Sequence, residues 1–536
     1  MVQNTGRHPS FFTCVLITLI ALCLVCCIKT VHDSDTQPQA FTLGVRHYDI
    51  KNALTVTNLR YQGKTFSAIV LLQSEILAEN SAEGVGCVFL FEGSPKEGTY
   101  DLVYDPQQPL GHSPMFFVSR FHTNDFVNDG LEKILDNADV YVGCRGSFTL
   151  RKDQDRFTIM TSEVQVMNMK DQTSVISSSV GFEDTMLSLV ISSAGDDTGN
   201  YSIFRVNLKD SPAASELAIS EFNFSDSSGK ELISFAPDHP TKDFYVAVPQ
   251  LAVGTYWIIA RSNGKPYVAK VSFDKTTEAG EYYEMSVNMA TLGDLMGEDG
   301  MFYDGAASVA KSGTTAIGII AYLGADPFSE NGTKVGGTPF VGHGLVLCLV
   351  NAARGARWTN VGDVEEFPGQ KVDSGSEMLR TWNVSGYTYT SELAAIDPSE
   401  GNYDVPRRAW NFNDLKAPAG TTGWFLPSAQ QWARMLSGPG GLGGLDLESI
   451  ESSFMRWIDN EHQSIERWEN ALKKAGTGNY HSILPYEEYW SSSEYDIEKA
   501  IALVIDGSGQ GDTSGILFGV VDKGSWIPIL RTVLAF

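Results

Sequence analysis

Gly423-Trp424-Phe425-Leu426-Pro427-Ser428, running into Ala429-Gln430-Gln431-Trp432-Ala433-Arg434-Met435-Leu436, is the stretch that decides the C-terminal architecture. A serine that follows a proline and precedes a helix-forming run is an N-cap signal, and it predicts a helix over 428–436. A glycine-rich loop comes next, and 449–475 reads as one long helix. Ile450, Phe454, Ile458, Ile465, Trp468 and Leu472 give it a single apolar stripe. Lys473 and Lys474 ahead of Gly476 close it. Apolar segments at 315–323, 344–350, 500–505, 516–521 and 527–536 read as strands. Residues 291–536 are therefore expected to form an α+β domain.

Upstream the pattern changes from mixed to β. Segments 53–59, 66–72, 87–91, 100–104, 115–121, 139–142 and 157–160 are β-rich, and glycine and proline turn signals separate many of them. Residues 41–187 thus read as a β-sandwich-like domain with one helix, 128–137. A second, smaller β-sandwich-like domain is expected over 188–290, with strands at 187–191, 202–207, 244–248, 255–260, 267–273 and 282–289. The fold class is mainly β with α+β.

Three motifs occur in order: Gly423 to Ser428 heading a helix, then Tyr489-Trp490-Ser491-Ser492-Ser493-Glu494-Tyr495, then Arg531-Thr532-Val533-Leu534-Ala535-Phe536. Together they resemble the Fibrobacter succinogenes major paralogous domain, which is similar to the C-terminal domain of the Legionella collagen-like adhesin. The resemblance implies a C-type-lectin-like α+β fold for 291–536. Ile529 stands where that family carries a basic residue. The two β-domains resemble, in architecture, the fimbrillin-like modules of Bacteroides-type surface proteins.

The N-terminus reads as an export signal. Residues 11–28 carry no charge and no proline, between Arg7 and Lys29. Leu24-Val25-Cys26-Cys27 resembles a lipobox, with Cys27 as the lipidated residue and Cys26 as the alternative. An uncleaved anchor and cleavage with release are the competing readings. The expected layout is a signal peptide over 1–27, a polar tether over 28–40, and a lipid anchor in the outer membrane of a bacterial cell envelope, facing outward.

The formal net charge is −26. That excludes a nucleic-acid partner, whose phosphates require a basic face. Four of the seven cysteines lie in the export segment; of Cys87, Cys144 and Cys348, the first two are expected to be buried free thiols, with a Cys87–Cys144 pair as the alternative. Enzymatic signatures fail on context. Gly438 to Gly443 matches G-x-G-x-x-G but follows a helix and contains Pro439. Ser308-Val309-Ala310-Lys311 lacks a downstream Lys-Thr-Gly. No His-Glu-x-x-His is present. Asp404, Asn411, Asn413 and Asp414 fall short of a calcium shell. No catalytic residue, cofactor or metal is therefore expected.

Flat aromatic faces beside amides suit sugar binding. Trp410, Asn411, Tyr486, Tyr489 and Tyr495 are the ligand-binding candidates, whereas Trp424 and Trp490 are expected in the core. The chain reads as a non-catalytic binding or adhesion lipoprotein, in its specific form a fimbrial tip or accessory subunit. Its partners would be pilus subunits and a glycan or protein ligand. The alternative is a glycan-binding lipoprotein beside an outer-membrane importer.

Overall fold

In a computed structural model, the chain is described over residues 39–61, 64–73, 83–103, 114–122, 139–153, 156–192, 201–359, 385–396, 403–446, 456–458, 463–484, 486–496, 498–506 and 515–536. Cys27, the export segment and the helix expected at 128–137 lie outside these residues. The chain divides into two compact units, with the boundary at Leu187/Ser188.

Strand alternation builds the first unit. Its strands are β1 (Ala40–Leu43), β2 (Arg46–Asp49), β3 (Asn52–Tyr61), β4 (Lys64–Leu72), β5 (Glu83–Glu92), β6 (Gly98–Asp101), β7 (Met115–His122), β8 (Tyr141–Asp153), β9 (Arg156–Asn168) and β10 (Val175–Thr185). Antiparallel pairing runs β3-β4-β5-β7-β8-β9-β10-β1-β2, and β6 pairs with the later part of β8. The sheet encloses one core containing Phe41, Ile69, Phe89, Phe116, Phe148, Ile159 and Val180. Its longest hairpin, β8–β9, is bent by register shifts near Gly146. Gly146 has φ 100°, and a Cβ there would meet the Glu163 carbonyl oxygen at 2.5 Å, so only glycine fits this bulge. Cys87, buried in this core, and the half-buried Cys144 are both free thiols.

The second unit opens with β11 (Leu187–Ile191), β12 (Tyr201–Asp210), β13 (Glu221–Asp226), β14 (Glu231–Phe235), β15 (Asp243–Pro249), β16 (Gly254–Ser262), β17 (Lys265–Phe273) and β18 (Tyr282–Thr291). One sheet is β11-β15-β12-β18 and the other is β14-β13-β16-β17, which joins the end of β18. Phe204, Val206 and Phe244 of the first meet Phe222, Phe224 and Ile258 of the second in one core. This is a two-layer sandwich. Asn263 and Gly264 both have positive φ and join β16 to β17, the two-residue turn that matches the twist of a hairpin.

The rest of this unit is α+β. A five-stranded sheet runs β20-β19-β21-β24-β29, where β19 is Leu295–Gly297, β20 Phe302–Tyr303, β21 Ala316–Leu323, β24 Gly344–Cys348 and β29 Val533–Ala535. The short hairpin β22 (Lys334–Val335) and β23 (Thr338–Pro339) is separate. A four-stranded sheet runs β25 (Arg456–Ile458), β28 (Gly515–Asp522), β27 (Lys499–Asp506) and β26 (Glu488–Glu494). The helices are α1 (Ala306–Ser312), α2 (Gly386–Ala395), α3 (Asp404–Trp410), α4 (Ala429–Leu436) and α5 (Gln463–Lys473). Trp432 and Trp468 stack at 6.0 Å inside a core shared by both sheets.

Two expectations are corrected here. The helix expected over 449–475 is not continuous: Arg456–Ile458 is a strand paired with Leu517 to Gly515, and the helix covers only Gln463–Lys473. Backbone pairing to β28 takes Ile458 out of the helical stripe. The terminal strand is also shorter than 527–536, being Val533–Ala535, with Ile527 exposed.

Candidate functional site

The motif residues of the α+β part are organised by buried polar groups. Ser428 and Gln431 form a capping box at the start of α4: Gln431 N donates to Ser428 Oγ at 3.1 Å, and Ser428 N to Gln431 Oε1 at 2.9 Å. Gln431 Nε2 then donates to Glu330 Oε1 at 2.7 Å. Glu330 is fully buried and has φ 62°. It also accepts from Tyr387 N at 3.2 Å, Thr333 Oγ1 at 2.9 Å and Ser385 Oγ at 2.5 Å. Ser385 Oγ in turn caps α2 by accepting from Thr388 N at 3.0 Å. One carboxylate thus ties together the N-termini of two helices. Burial raises its pKa, and the four donors counter that rise.

This clamp fixes α2 and so presents Tyr387 to α3. The rings of Tyr387 and Trp410 lie 5.3 Å apart. Trp410 is 38% exposed, and the exposed Asn411 caps the helix that carries it. Trp410 and Asn411, two of the ligand-binding candidates, are thus consecutive exposed residues at the end of this helix. Asp404, at the other end of α3, pairs with Arg408 at 2.8 Å.

Tyr486 lies on the loop entering β26 and is 72% exposed. Its φ of 69° is a left-handed conformation that aromatic residues rarely adopt. Its N–H donates to Ile505 O at 2.7 Å. Tyr495 is half-buried against the core. Tyr489 is a correction: its ring is 0% exposed and packs 5.8 Å from Trp432. Both faces of β26 are buried, so Tyr489 belongs to the core, as does its neighbour Trp490. Trp410 and Tyr489 each have their ring partner outside the candidate set, in Tyr387 and Trp432. Trp424 and Trp490 are buried, and Trp490 Nε1 donates to Ala356 O at 2.8 Å.

The third motif is a structural clamp. Arg531 is fully buried and donates to Cys348 O at 2.9 Å, Leu349 O at 3.0 Å and His481 O at 2.9 Å. Burial lowers its pKa. Guanidinium-to-carbonyl bonds of this kind hold the last strand against β24 and the His481 loop. Two residues of consequence carry no local sequence signal. Glu330 sits in an ordinary-looking Ser-Glu-Asn-Gly turn. His343 lacks the spacing of a metal ligand.

Among the described residues, no group of three or more His, Cys, Asp or Glu side chains could hold a metal ion. Among them, too, no helix is long and apolar enough to cross a membrane.

No family model matches the sequence, and no curated protein matches it. Among solved structures, the chain is similar to a fimbrial protein from Bacteroides ovatus. That match has 15% identity, covers 90% of this chain and 99% of that one, and has a TM-score of 0.29. A group B streptococcus pilus 2b backbone protein matches at 11% identity, over 44% of this chain and 95% of that one, with a TM-score of 0.14. The major pilin subunit of Bacillus cereus matches at 11% identity, over 44% and 67%, with a TM-score of 0.12. TM-scores of this size carry no argument about function.

Proposed function

We propose that this chain is a cell-surface, non-catalytic binding protein, anchored by a lipid at Cys27. Its α+β part, which resembles a lectin-like domain, is the ligand-binding head. In a fimbria it occupies a tip or accessory position and is not the repeating unit. A repeating subunit that polymerises by strand addition must release a strand to its neighbour.

The observation that supports this reading is the grip on Val533–Ala535. On one side it pairs with Leu345, Val346 and Leu347 of β24. On the other, Val533 and Phe425 exchange two backbone hydrogen bonds of 2.9 Å. Ala535 N also donates to Thr422 Oγ1 at 2.9 Å. All side chains from Leu530 to Phe536 are buried. Extracting this strand would expose several apolar side chains, each worth about 1.5–3 kcal/mol. That sum approaches the stability of a whole domain. The strand is part of the core and is not available for donation.

Shearing fimbriae from cells and probing the fractions tests the proposal. The protein is expected in the surface fraction, sub-stoichiometric to the main pilin where fimbriae are present. Recovery as the dominant fibre component contradicts it.

A further inference from the structure

A cavity of about 430 Å³ lies in the second unit, between the outer face of the β14-β13-β16-β17 sheet and the start of the α+β part. That volume is in the range of small-molecule sites. Strand register sets its first wall. Glu221 pairs with Arg261, and Asn223 with both Ile259 and Ser234, so alternation places these five side chains on the face away from the Phe222–Phe224 core. The exposed Glu221 and Ser234 lie at its mouth. Arg261 Nε and Glu221 Oε2 are 3.0 Å apart, so the wall's opposite charges are compensated. Asn223 Nδ2 donates to Glu231 Oε2 at 2.7 Å.

His343 stands on the second wall. It is 4% exposed, and among the described residues neither ring nitrogen has a hydrogen-bond partner. Its ring lies 4.6 Å from that of Trp257. Burial, then the Lys270 charge, pushes its pKa down to about 4, so at neutral pH the imidazole offers one donor and one acceptor. A buried polar group left unmatched calls for a water or a ligand.

We propose that this cavity binds a neutral polyhydroxylated ligand, the terminal sugar unit of a glycan, through His343 and the Asn223–Arg261 wall. Hydroxyl groups both donate and accept. They match a neutral imidazole, an amide and a compensated ion pair, none of which favours a charged ligand. The proposal rests on the reading of this chain as a binding protein, and names its ligand class.

The test uses the whole exported chain. It is titrated calorimetrically with free neutral mono- and disaccharides and applied in parallel to an immobilised glycan array. The array separates surface glycoconjugates from free sugars as the source. Two variants are compared with the wild type. His343→Phe keeps the ring against Trp257 and removes both nitrogens, and Asn223→Ala removes the amide. Saturable binding is expected, weakened roughly tenfold or more by each variant. The unliganded His343→Phe protein is expected to melt no lower than wild type. No binding of any neutral saccharide in either format overturns the proposal. Sugar binding unchanged in both variants overturns this site while leaving the binding-protein reading in place. Co-fractionation with fimbriae tests that reading separately.

Discussion

Glu494 and Lys523 form an ion pair at 2.9 Å, Oε1 to Nζ, with each side chain only 1% exposed. It joins the end of β26, inside the Tyr489–Tyr495 motif, to the turn after β28. Lys523 Nζ also donates to Asp496 O at 2.7 Å, which closes the β26–β27 turn. Breaking one half of a buried pair strands a charge, whereas replacing both by apolar groups need not destabilise. Lys523→Met is expected to lower unfolding free energy by about 3–5 kcal/mol, and Lys523→Met with Glu494→Leu by clearly less. Denaturant titration of the three proteins measures this. A single-variant loss below that of the double variant contradicts it.

Glu330 gives a pH signature. Burial raises its folded-state pKa above the unfolded value, which is near 4.5. Its contribution is therefore fully present below that value and is lost as pH rises through the folded pKa. Stability measured as wild type minus Glu330→Gln should fall between pH 4 and neutrality. A difference that is flat, or that rises with pH, contradicts the buried-carboxylate account. Subtracting the variant removes the opposing trends of Asp226 and Asp522, whose pKa values are lowered.

Tyr486 separates strain from contact. A non-glycine residue at positive φ costs about 1 kcal/mol or more, and glycine removes that strain. Its greater unfolded-state entropy offsets part of the gain. Tyr486→Gly should unfold within about 1 kcal/mol of wild type, because the ring is largely exposed. The same variant should reduce adherence if this aromatic touches ligand. A stability loss of several kcal/mol would place Tyr486 in the packing instead.

The anchor is tested by acyl labelling. Cys27→Ala should abolish incorporation of a fatty-acid probe and release or mislocalise the protein. Labelling that survives in Cys27→Ala and disappears in Cys26→Ala moves the site by one residue.

Much of the fold was legible because alternation and caps are local. Segment 282–289 read correctly since its strand alternates buried and open positions, and Ser428 announced α4 with its own side chain. The hairpin β13–β14 escaped because Asn223, Ser225 and the Asp226 turn dilute Phe222 and Phe224. Helix α2 escaped because Gly386-Tyr387-Thr388-Tyr389-Thr390 is poor in helix formers. It forms where Ser385 and Glu330 satisfy its first turn. Ile458 fits a helical stripe in sequence and a strand in space, since a short apolar run is ambiguous. Tyr489 was misplaced because both faces of β26 are covered, one by the core containing Trp432 and the other by the cluster containing Trp490. His343 was invisible as a site, since Asn223 and Arg261, which line the same cavity, are brought there by sheet register.

Val533–Ala535 is a fixed strand of the α+β part, so the chain is placed at a fibre's end or beside it. Immunogold labelling of sheared fimbriae with antibody against the α+β part tests this most directly. Label is expected at fibre ends or on the cell surface apart from fibres. Label at regular spacing along fibre shafts would contradict it.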